Sequence, residues 1–469
     1  MRKKNTNAPP GGARRKAPPQ KQGGLRGLSL VLALLLAFCS GGVCSWLLFR
    51  APQGGEMEPQ DESGGVSAVS AAEESAQPEA SASDPGAEPD VDPGAEAASA
   101  AESASAEAAS SADPEPDAVS LRAEQILGEM TLEEKLYQLF VVTPEQLTGS
   151  DDPVTQADEA VKAALEAHPV GGVIYMENNL ETPEQVTSLS AALQANSKYG
   201  LFLAVDEEGG RVARFGNNAA LGTTSFPAML ELGQQGTDAV QRAMTTIATE
   251  VGAFGVNLDF APVADVYTNP ENTVIGDRAF STDAETAAAL VEAAVTGFRQ
   301  GGMLCTLKHF PGHGDTQGDS HTEAGYTDKT REERREAEFL PFQAGIAAGA
   351  EFVMVGHICT PNITDGTTPA TLSYTMVTEI LRGELGFDGI VITDGMNMSA
   401  ITAYYNSGEA AVQAVQAGVD LILMPNSLEG AVAGLQVAVE SGELSEERID
   451  ESVLRILLCK LRQGILPTD

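Results

Sequence analysis

The sequence predicts an α/β fold: a (β/α)8 TIM barrel over residues 119–469, preceded by one transmembrane helix and a disordered acidic linker. Three observations predict it. Eight short apolar runs recur from residue 120 onward, separated by Ala-, Glu- and Gln-rich stretches of helical length. Their starts lie about 30 to 55 residues apart, the size of a βα unit with some longer loops. Five of the runs end in polar residues, namely Asp206, Asp265, Lys308 with His309, His357 and Asp394. In a barrel such strand ends converge on one mouth, where barrels of this kind do their chemistry. A doubly wound sheet is the structural rival, and the convergent strand ends favour the barrel over it.

Residues 1–50 carry nine Lys/Arg and no Asp/Glu, and 1–27 read as a basic cytoplasmic tail. Residues 28–49 are 22 uncharged positions, Leu-rich, with Trp46 near the far end. That length crosses a bilayer, and cations ahead of it keep the N-terminus in the cytoplasm. The expected location is therefore the cell membrane, single-pass, with the body that follows the segment outside. A cleaved signal peptide is the rival, but no small-x-small site follows the apolar core. A lipoprotein reading through Cys39 or Cys44 meets bulky Phe38 and Val43 where a small residue is wanted.

Residues 50–118 form the expected linker. Its Ala, Ser, Pro and Gly carry seventeen acidic side chains and no basic one beyond Arg50, and Asp84-Pro85-Gly86-Ala87-Glu88 is echoed at Asp92-Pro93-Gly94-Ala95-Glu96. Such a stretch cannot bury a core. It reads as a self-repelling tether.

The eight runs of the body are 137–142, 171–176, 201–206, 256–264, 303–309, 352–358, 389–394 and 421–425. The whole chain carries a net charge of −39. A body this acidic repels phosphate backbones, which excludes nucleic acid as a partner. Cys305, Cys359 and Cys459 read as small buried hydrophobes, with no disulfide framework or CxxC metal site. Glu208-Gly209-Gly210-Arg211 follows the third run but lacks GxGxxG spacing and a Walker lysine, so it reads as a tight turn presenting Arg211 and Arg214. No cofactor is expected.

The densest chemistry lies in Lys308-His309-Phe310-Pro311-Gly312-His313-Gly314-Asp315-Thr316-Gln317-Gly318-Asp319-Ser320-His321. His309 and His313 have the i, i+4 spacing of a zinc helix, but Pro311, Gly312 and Gly314 break any helix there. Lys308 beside them raises the cost of a dication, so no metal is expected. In an extended segment Asp319 and His321 point the same way. The carboxylate then fixes the imidazole tautomer and raises its pKa, which suits proton donation and acceptance near neutral pH. The spacing alone serves a structural His–Asp contact equally well. A carboxylate at Asp394, at the same mouth, suits attack on an electrophilic carbon such as an anomeric one; a helix N-cap would explain it equally.

These residues closely resemble the signature of glycoside hydrolase family 3 β-N-acetylglucosaminidases. Further blocks match in order: Met130-Thr131-Leu132-Glu133-Glu134-Lys135, Asp206-Glu207-Glu208-Gly209-Gly210-Arg211-Val212, Ile275-Gly276-Asp277-Arg278-Ala279-Phe280, Thr393-Asp394-Gly395-Met396-Asn397-Met398 and Ala417-Gly418-Val419-Asp420. The resemblance spans about residues 119–469. It implies a TIM barrel that hydrolyses β-linked sugars with retention through a glycosyl-enzyme. It makes Asp394 the nucleophile, His321 the acid/base and Asp319 its orienting partner. Asp206, Arg214, Arg278, Lys308 and His309 are then expected to bind the hydroxyls of the non-reducing sugar, with Arg211 supporting that loop.

Members specific for plain glucosides usually take their acid from a second domain. This chain ends shortly after the eighth βα unit, so the resemblance points to terminal β-linked N-acetylglucosamine as substrate, with peptidoglycan fragments (muropeptides) the natural class. A histidine acid/base leaves room for phosphorolysis. Two functions compete with this expectation: β-glucosidase or β-xylosidase activity, and a catalytically inactive barrel that binds glycan. Gly395 departs from the pattern, where relatives often carry Ala or Asp, and is expected to alter the flexibility of the loop.

Overall fold

The structure, a computed structural model, describes residues 117–317, 324–364 and 366–468. The expected membrane segment at 28–49 and the linker up to residue 116 lie outside the described residues. Among the described residues no helix is long and apolar enough to cross a membrane.

The first described helix, Ala118–Glu129, begins inside the range read as linker. Asp117 caps it, its carboxylate accepting the Ser120 N–H at 2.7 Å. The next helix, Leu132–Gln138, consumes part of what the sequence offers as the first strand. Thr131 and Glu134 close a reciprocal capping box that starts this helix. The apolar run beyond it is unbroken, so periodicity alone does not reveal the switch from helix to strand.

Eight parallel strands follow. They are β1 (Phe140–Val142), β2 (Gly172–Ile174), β3 (Phe202–Val205), β4 (Leu258–Asp259), β5 (Leu304–Phe310), β6 (Phe352–Val355), β7 (Ile390–Thr393) and β8 (Ile422–Leu423). They pair in chain order from β1 to β7, and β8 pairs with β1 through Phe140↔Ile422 and Val141↔Leu423. The remaining gap between β7 and β8 is spanned by the bridge Ile392↔Leu421 and by the Thr393 N–H donating to the Leu421 carbonyl at 3.0 Å. The result is an α/β fold with a nearly closed parallel eight-stranded sheet, consistent with a TIM-type barrel.

The fourth run is shorter as a strand than its apolar length. Pro262 has no N–H for the ladder, and beyond Asp259 the pairing continues through single bonds, from the Phe260 N–H to the Val205 carbonyl and from the Thr306 N–H to the Ala261 carbonyl, and through the bridge Val263↔Lys308. Alternation sorts the side chains of the other strands. Phe202 on β3 and Phe352 on β6 meet edge-to-face with centroids 5.2 Å apart. Those strands are not neighbours, so the contact crosses the barrel interior. Two residues further along β3 and β6 stand Ala204 and Met354, and the next inward position after Ala204 is Asp206. Leu307 on β5 points the other way, against Gly345 of the helix Phe339–Ala347. Burial of rings such as Phe202 and Phe352 contributes roughly 1.5–3 kcal/mol each.

Candidate active site

Asp206, Arg214, Arg278, Lys308, His309 and Asp394 all line one cavity of about 690 Å³ at the carboxyl ends of the strands. The fold thus brings together six of the eight residues singled out from sequence. The other two, Asp319 and His321, lie outside the described residues. The chain flanking them is fixed: Gln317 and Tyr326 exchange backbone hydrogen bonds at 2.9 and 3.0 Å.

Lys308 anchors the charged half of the cavity. Its ammonium donates to Asp206 Oδ1 at 2.8 Å and contacts Glu208 Oε1 at 2.6 Å. Arg278 grips Glu208 with both arms, Nε to Oε2 at 2.8 Å and Nη2 to Oε1 at 2.7 Å. Burial alone pushes the Glu208 carboxyl up, but Arg278 and Lys308 hold it well below the usual carboxylate range. Burial likewise pulls Lys308 and Arg278 down, and the facing carboxylates more than restore them. All three groups are therefore charged. The ammonium has a third N–H beyond these two partners, and Asp206 keeps Oδ2 for a hydroxyl; both suit a sugar.

Arg214 sits behind a small hairpin, Glu207–Gly209 with Val212–Ala213. Its Nη1 reaches Glu177 at 2.6 Å and its Nη2 lies 3.9 Å from Asp206 Oδ2. Arg211 lies across the 273–275 turn, where Nη2 donates to the carbonyls of Thr273, Val274 and Ile275 at 2.9, 2.7 and 3.1 Å. It braces the loop that carries Arg278, as the resemblance implied.

His309 is oriented from behind. Asp265 Oδ2 lies 2.8 Å from its Nδ1, while Asp265 Oδ1 accepts the backbone N–H of both His309 and His313. With Nδ1–H donating to Asp265, Nε2 is the acceptor end, facing Arg278 Nη2 at 3.4 Å. The tight path of this loop depends on glycine. A Cβ on Gly314 would fall 2.0 Å from the Val266 carbonyl oxygen. Gly312 has φ +113° and lies against Glu338.

Asp394 follows β7 directly. Its N–H donates to the Val355 carbonyl at 3.0 Å, and its Oδ1 accepts the Gly395 N–H at 2.7 Å. It caps no helix, because the next helix, Ser399–Thr402, has Met398 at its cap. Burial pushes the Asp394 carboxyl up, but His357, His309, the Gly395 N–H and Lys308 pull it below the ordinary range. Burial keeps the His357 imidazole low in turn. A carboxylate ionised at neutral pH is the form that attacks a carbon centre.

Gly395 is not a loose point. Its carbonyl accepts from His357 Nε2 at 2.9 Å, and the Met396 N–H donates to Leu423 at 2.9 Å. A Cβ at this position would stand 3.1 Å from Asn397 Oδ1 and 3.3 Å from Met424 Cε.

Four further participants are not singled out as site residues by the sequence: Glu208, Asp265, His313 and His357. Three acids in a row, Asp206-Glu207-Glu208, mark the end of β3 and are the available signal for Glu208. Met176, Met354, Met398 and Met424 give the cavity a thioether wall; no spacing in the sequence links these four.

The profile of the glycosyl hydrolase family 3 N terminal domain matches residues 131–459, and the chain belongs to that family. It is 35% identical over 327 residues to beta-hexosaminidase A of Pseudoalteromonas piscicida, covering 64% of this chain and 54% of that protein. It is 37% identical over 281 residues to a beta-hexosaminidase of Stenotrophomonas maltophilia, covering 58% of this chain and 82% of the relative. Among solved structures it resembles a family 3 beta-N-acetylglucosaminidase from Paenibacillus sp., with TM-score 0.67 and 39% identity over 72% of this chain and 63% of that one. A beta-N-acetylhexosaminidase from Beutenbergia cavernae gives TM-score 0.63 and 30% identity over 71% of this chain and 98% of that one. The chain thus spans about half the length of the Pseudoalteromonas protein.

Proposed function

We propose that this protein is an exo-acting, retaining β-N-acetylglucosaminidase that removes terminal β-linked N-acetylglucosamine. One observation carries the reading: the Asp394 carboxylate stands across a single cavity from the Lys308–Asp206–Glu208–Arg278 cluster. The cluster holds the hydroxyls of the terminal sugar and sets its anomeric carbon at Asp394. Asp394 attacks that carbon, the glycosidic C–O bond breaks, and the leaving oxygen takes a proton from His321. Water, deprotonated by His321, then releases the sugar with its original configuration. Asp319 orients His321 through this cycle. The names and coverage of the relatives support the substrate.

Peptidoglycan fragments are the proposed source of substrate. The catalytic unit works outside the cell, tethered by residues 28–49; the charge pattern around that segment supports this placement.

The test is nitrophenol release by the full chain from the β-N-acetylglucosaminide and the β-glucoside, each with EDTA and each with or without phosphate. The reading expects turnover of the N-acetyl sugar, insensitive to chelator, with free N-acetylglucosamine as product. Activity on the glucoside alone overturns the substrate. A sugar phosphate as product overturns hydrolysis; a structural neighbour at 26% identity and TM-score 0.65 is titled a beta-glucoside phosphorylase, which makes that arm worth running.

A further inference from the structure

The cavity wall has two characters. Its charged groups come from one arc of the barrel: Asp206 ends β3, Glu208 and Arg214 belong to the hairpin beyond it, Arg278 follows β4, and Lys308 lies on β5. The rest of the rim is apolar. Met176 follows β2, Met398 follows β7 and Met424 follows β8. β8, β1 and β2 are neighbours in the sheet, and the bridge Ile392↔Leu421 joins β7 to them, so the three thioethers share the arc that the charged groups leave open.

Accessible methionine sulfur is confined to this arc. Two of the twelve methionines, Met1 and Met57, lie outside the described residues. Of the other ten, seven are buried. Met176, Met398 and Met424 are half-buried, and all three line the cavity. The cysteines are less reactive or lie elsewhere. Burial pushes the Cys305 thiol well up and the Cys459 thiol up to about 12, so neither holds much thiolate at neutral pH. Cys359 donates from Sγ to the Thr367 carbonyl at 3.4 Å and does not line the cavity.

Two of the thioethers meet over the peptide that follows Asp394. A Cβ at Gly395 would stand 3.3 Å from Met424 Cε and 3.6 Å from Met398 Sδ, so both side chains reach the same space beside that carboxylate. Met424 is also held in place. Its φ is +44°, the one positive φ outside glycine among the described residues, in a region that glycine enters most easily. Its N–H donates to the Val141 carbonyl at 2.8 Å. The side chain therefore stays on the wall.

We propose that Met176, Met398 and Met424 form an oxidation-sensitive site, at which a hydroperoxide entering the cavity makes methionine sulfoxides and shuts the cavity to substrate. A sulfur lone pair attacks one oxygen of hydrogen peroxide. The O–O bond breaks, that oxygen stays on sulfur, and the other leaves as water. Sulfur is oxidised by two electrons and the peroxide is reduced by two. An apolar thioether thus becomes a polar group carrying an acceptor oxygen, and sulfoxide reductases reverse the change. At Met398 and Met424 the new oxygen lies beside the Asp394 carboxylate. The loss of activity rests on the reading of this cavity as the catalytic one; the order in which the methionines oxidise does not.

The experiment treats the full chain with graded hydrogen peroxide, with a chelator present, and follows two readouts. Peptide mass mapping gives the sulfoxide at each methionine. Hydrolysis of nitrophenyl β-N-acetylglucosaminide gives kcat/KM, each protein being referred to its own untreated value. Met176, Met398 and Met424 are expected to oxidise ahead of the seven buried methionines. Activity should fall in step, by roughly 10²-fold when all three are sulfoxides, the effect of displacing a substrate by about 1 Å. Methionine sulfoxide reductases A and B together should restore it, and a thiol reductant alone should not. The triple variant Met176→Leu, Met398→Leu, Met424→Leu should keep its own activity through the same treatment. Oxidation that begins at the buried methionines overturns the proposal. So does full activity in a chain whose three cavity methionines are mapped as sulfoxides, or recovery with thiol reductant alone. Should the triple variant fail to fold, repair of the parent by the reductases decides. Should the untreated parent turn over no glycoside, the functional reading fails by itself, and the order of oxidation in the mass map upholds or overturns the site.

Discussion

His357 holds the peptide that follows Asp394. Its Nε2 lies 2.9 Å from the Gly395 carbonyl oxygen, and its Nδ1 lies 3.1 Å from Thr371 Oγ1. A carbonyl only accepts, so Nε2 carries the proton. Burial lowers the imidazole pKa, and the Thr371 hydroxyl beside Nδ1 donates to the carbonyls of Val355 at 2.7 Å and Gly356 at 2.9 Å. His357 touches no substrate in this account; it is a positioning residue. His357→Ala frees the Gly395 peptide and should lower kcat by roughly 10²-fold, the effect of about 1 Å of misplacement. His357→Gln, which can still donate to the carbonyl, should recover part of the loss, with KM little changed in both. Steady-state kinetics of the two variants check this, and equal damage in both speaks against the carbonyl contact.

Glu208 ties the charged arc of the cavity together, since its one carboxylate pairs with both Arg278 and Lys308. Removing one partner of a buried ion pair typically costs about 3–5 kcal/mol. Glu208→Ala should therefore lower stability on that order in urea unfolding, and weaken substrate binding as well. Glu208→Gln should unfold at intermediate urea, because the amide oxygen still accepts from Arg278.

A second buried cluster backs the histidine loop. Arg334 is fully buried and donates to the carbonyl of Pro311 at 2.8 Å, with its Nη2 3.6 Å from Asp315 Oδ1. Lys329 joins Glu338 and approaches Asp315 at 3.8 Å. Arg334→Gln leaves Asp315 and Glu338 to Lys329 alone. Its expected cost is again about 3–5 kcal/mol, measured by thermal or urea unfolding. Arg334→Lys keeps the charge but not the fork, and should fall between the two.

Glu207 supplies a pH dependence with a definite sign. It is buried, accepts the N–H of Phe215 at 2.7 Å and of Gly216 at 2.9 Å, and burial still pushes its carboxyl up to about 7. The folded state then binds more protons than the unfolded one between the ordinary value of 4.5 and about 7. Its contribution is present below 4.5 and is lost as pH rises through about 7. A Glu207→Gln chain should show a flatter profile of Tm against pH across that window than the parent. A parallel profile would remove Glu207 as the source.

Much of the barrel is legible because the strands are apolar runs, five of them closed by a polar end, and Asp206, Lys308, His309 and Asp394 are such ends. Arg278 is reached through its Ile275-Gly276-Asp277-Arg278 block. Tertiary pairing is not legible. Nothing local says that Glu208 belongs to Arg278, seventy positions away, or that His357 reaches the Gly395 carbonyl. The first strand is overextended into Tyr137 and Gln138 because helix and strand there share one apolar run. The capping box at Thr131 and Glu134 is visible in the sequence and marks the helix.

The central claim is that Asp394 forms the covalent bond to sugar. The most direct measurement is mass spectrometry of the full chain after reaction with a slow fluorinated N-acetylglucosaminyl donor, followed by peptide mapping. The account predicts one glycosyl adduct, located on Asp394 and missing from Asp394→Ala, which should also be inactive. Turnover by Asp394→Ala at the parent rate, or an adduct on another carboxylate, would contradict it.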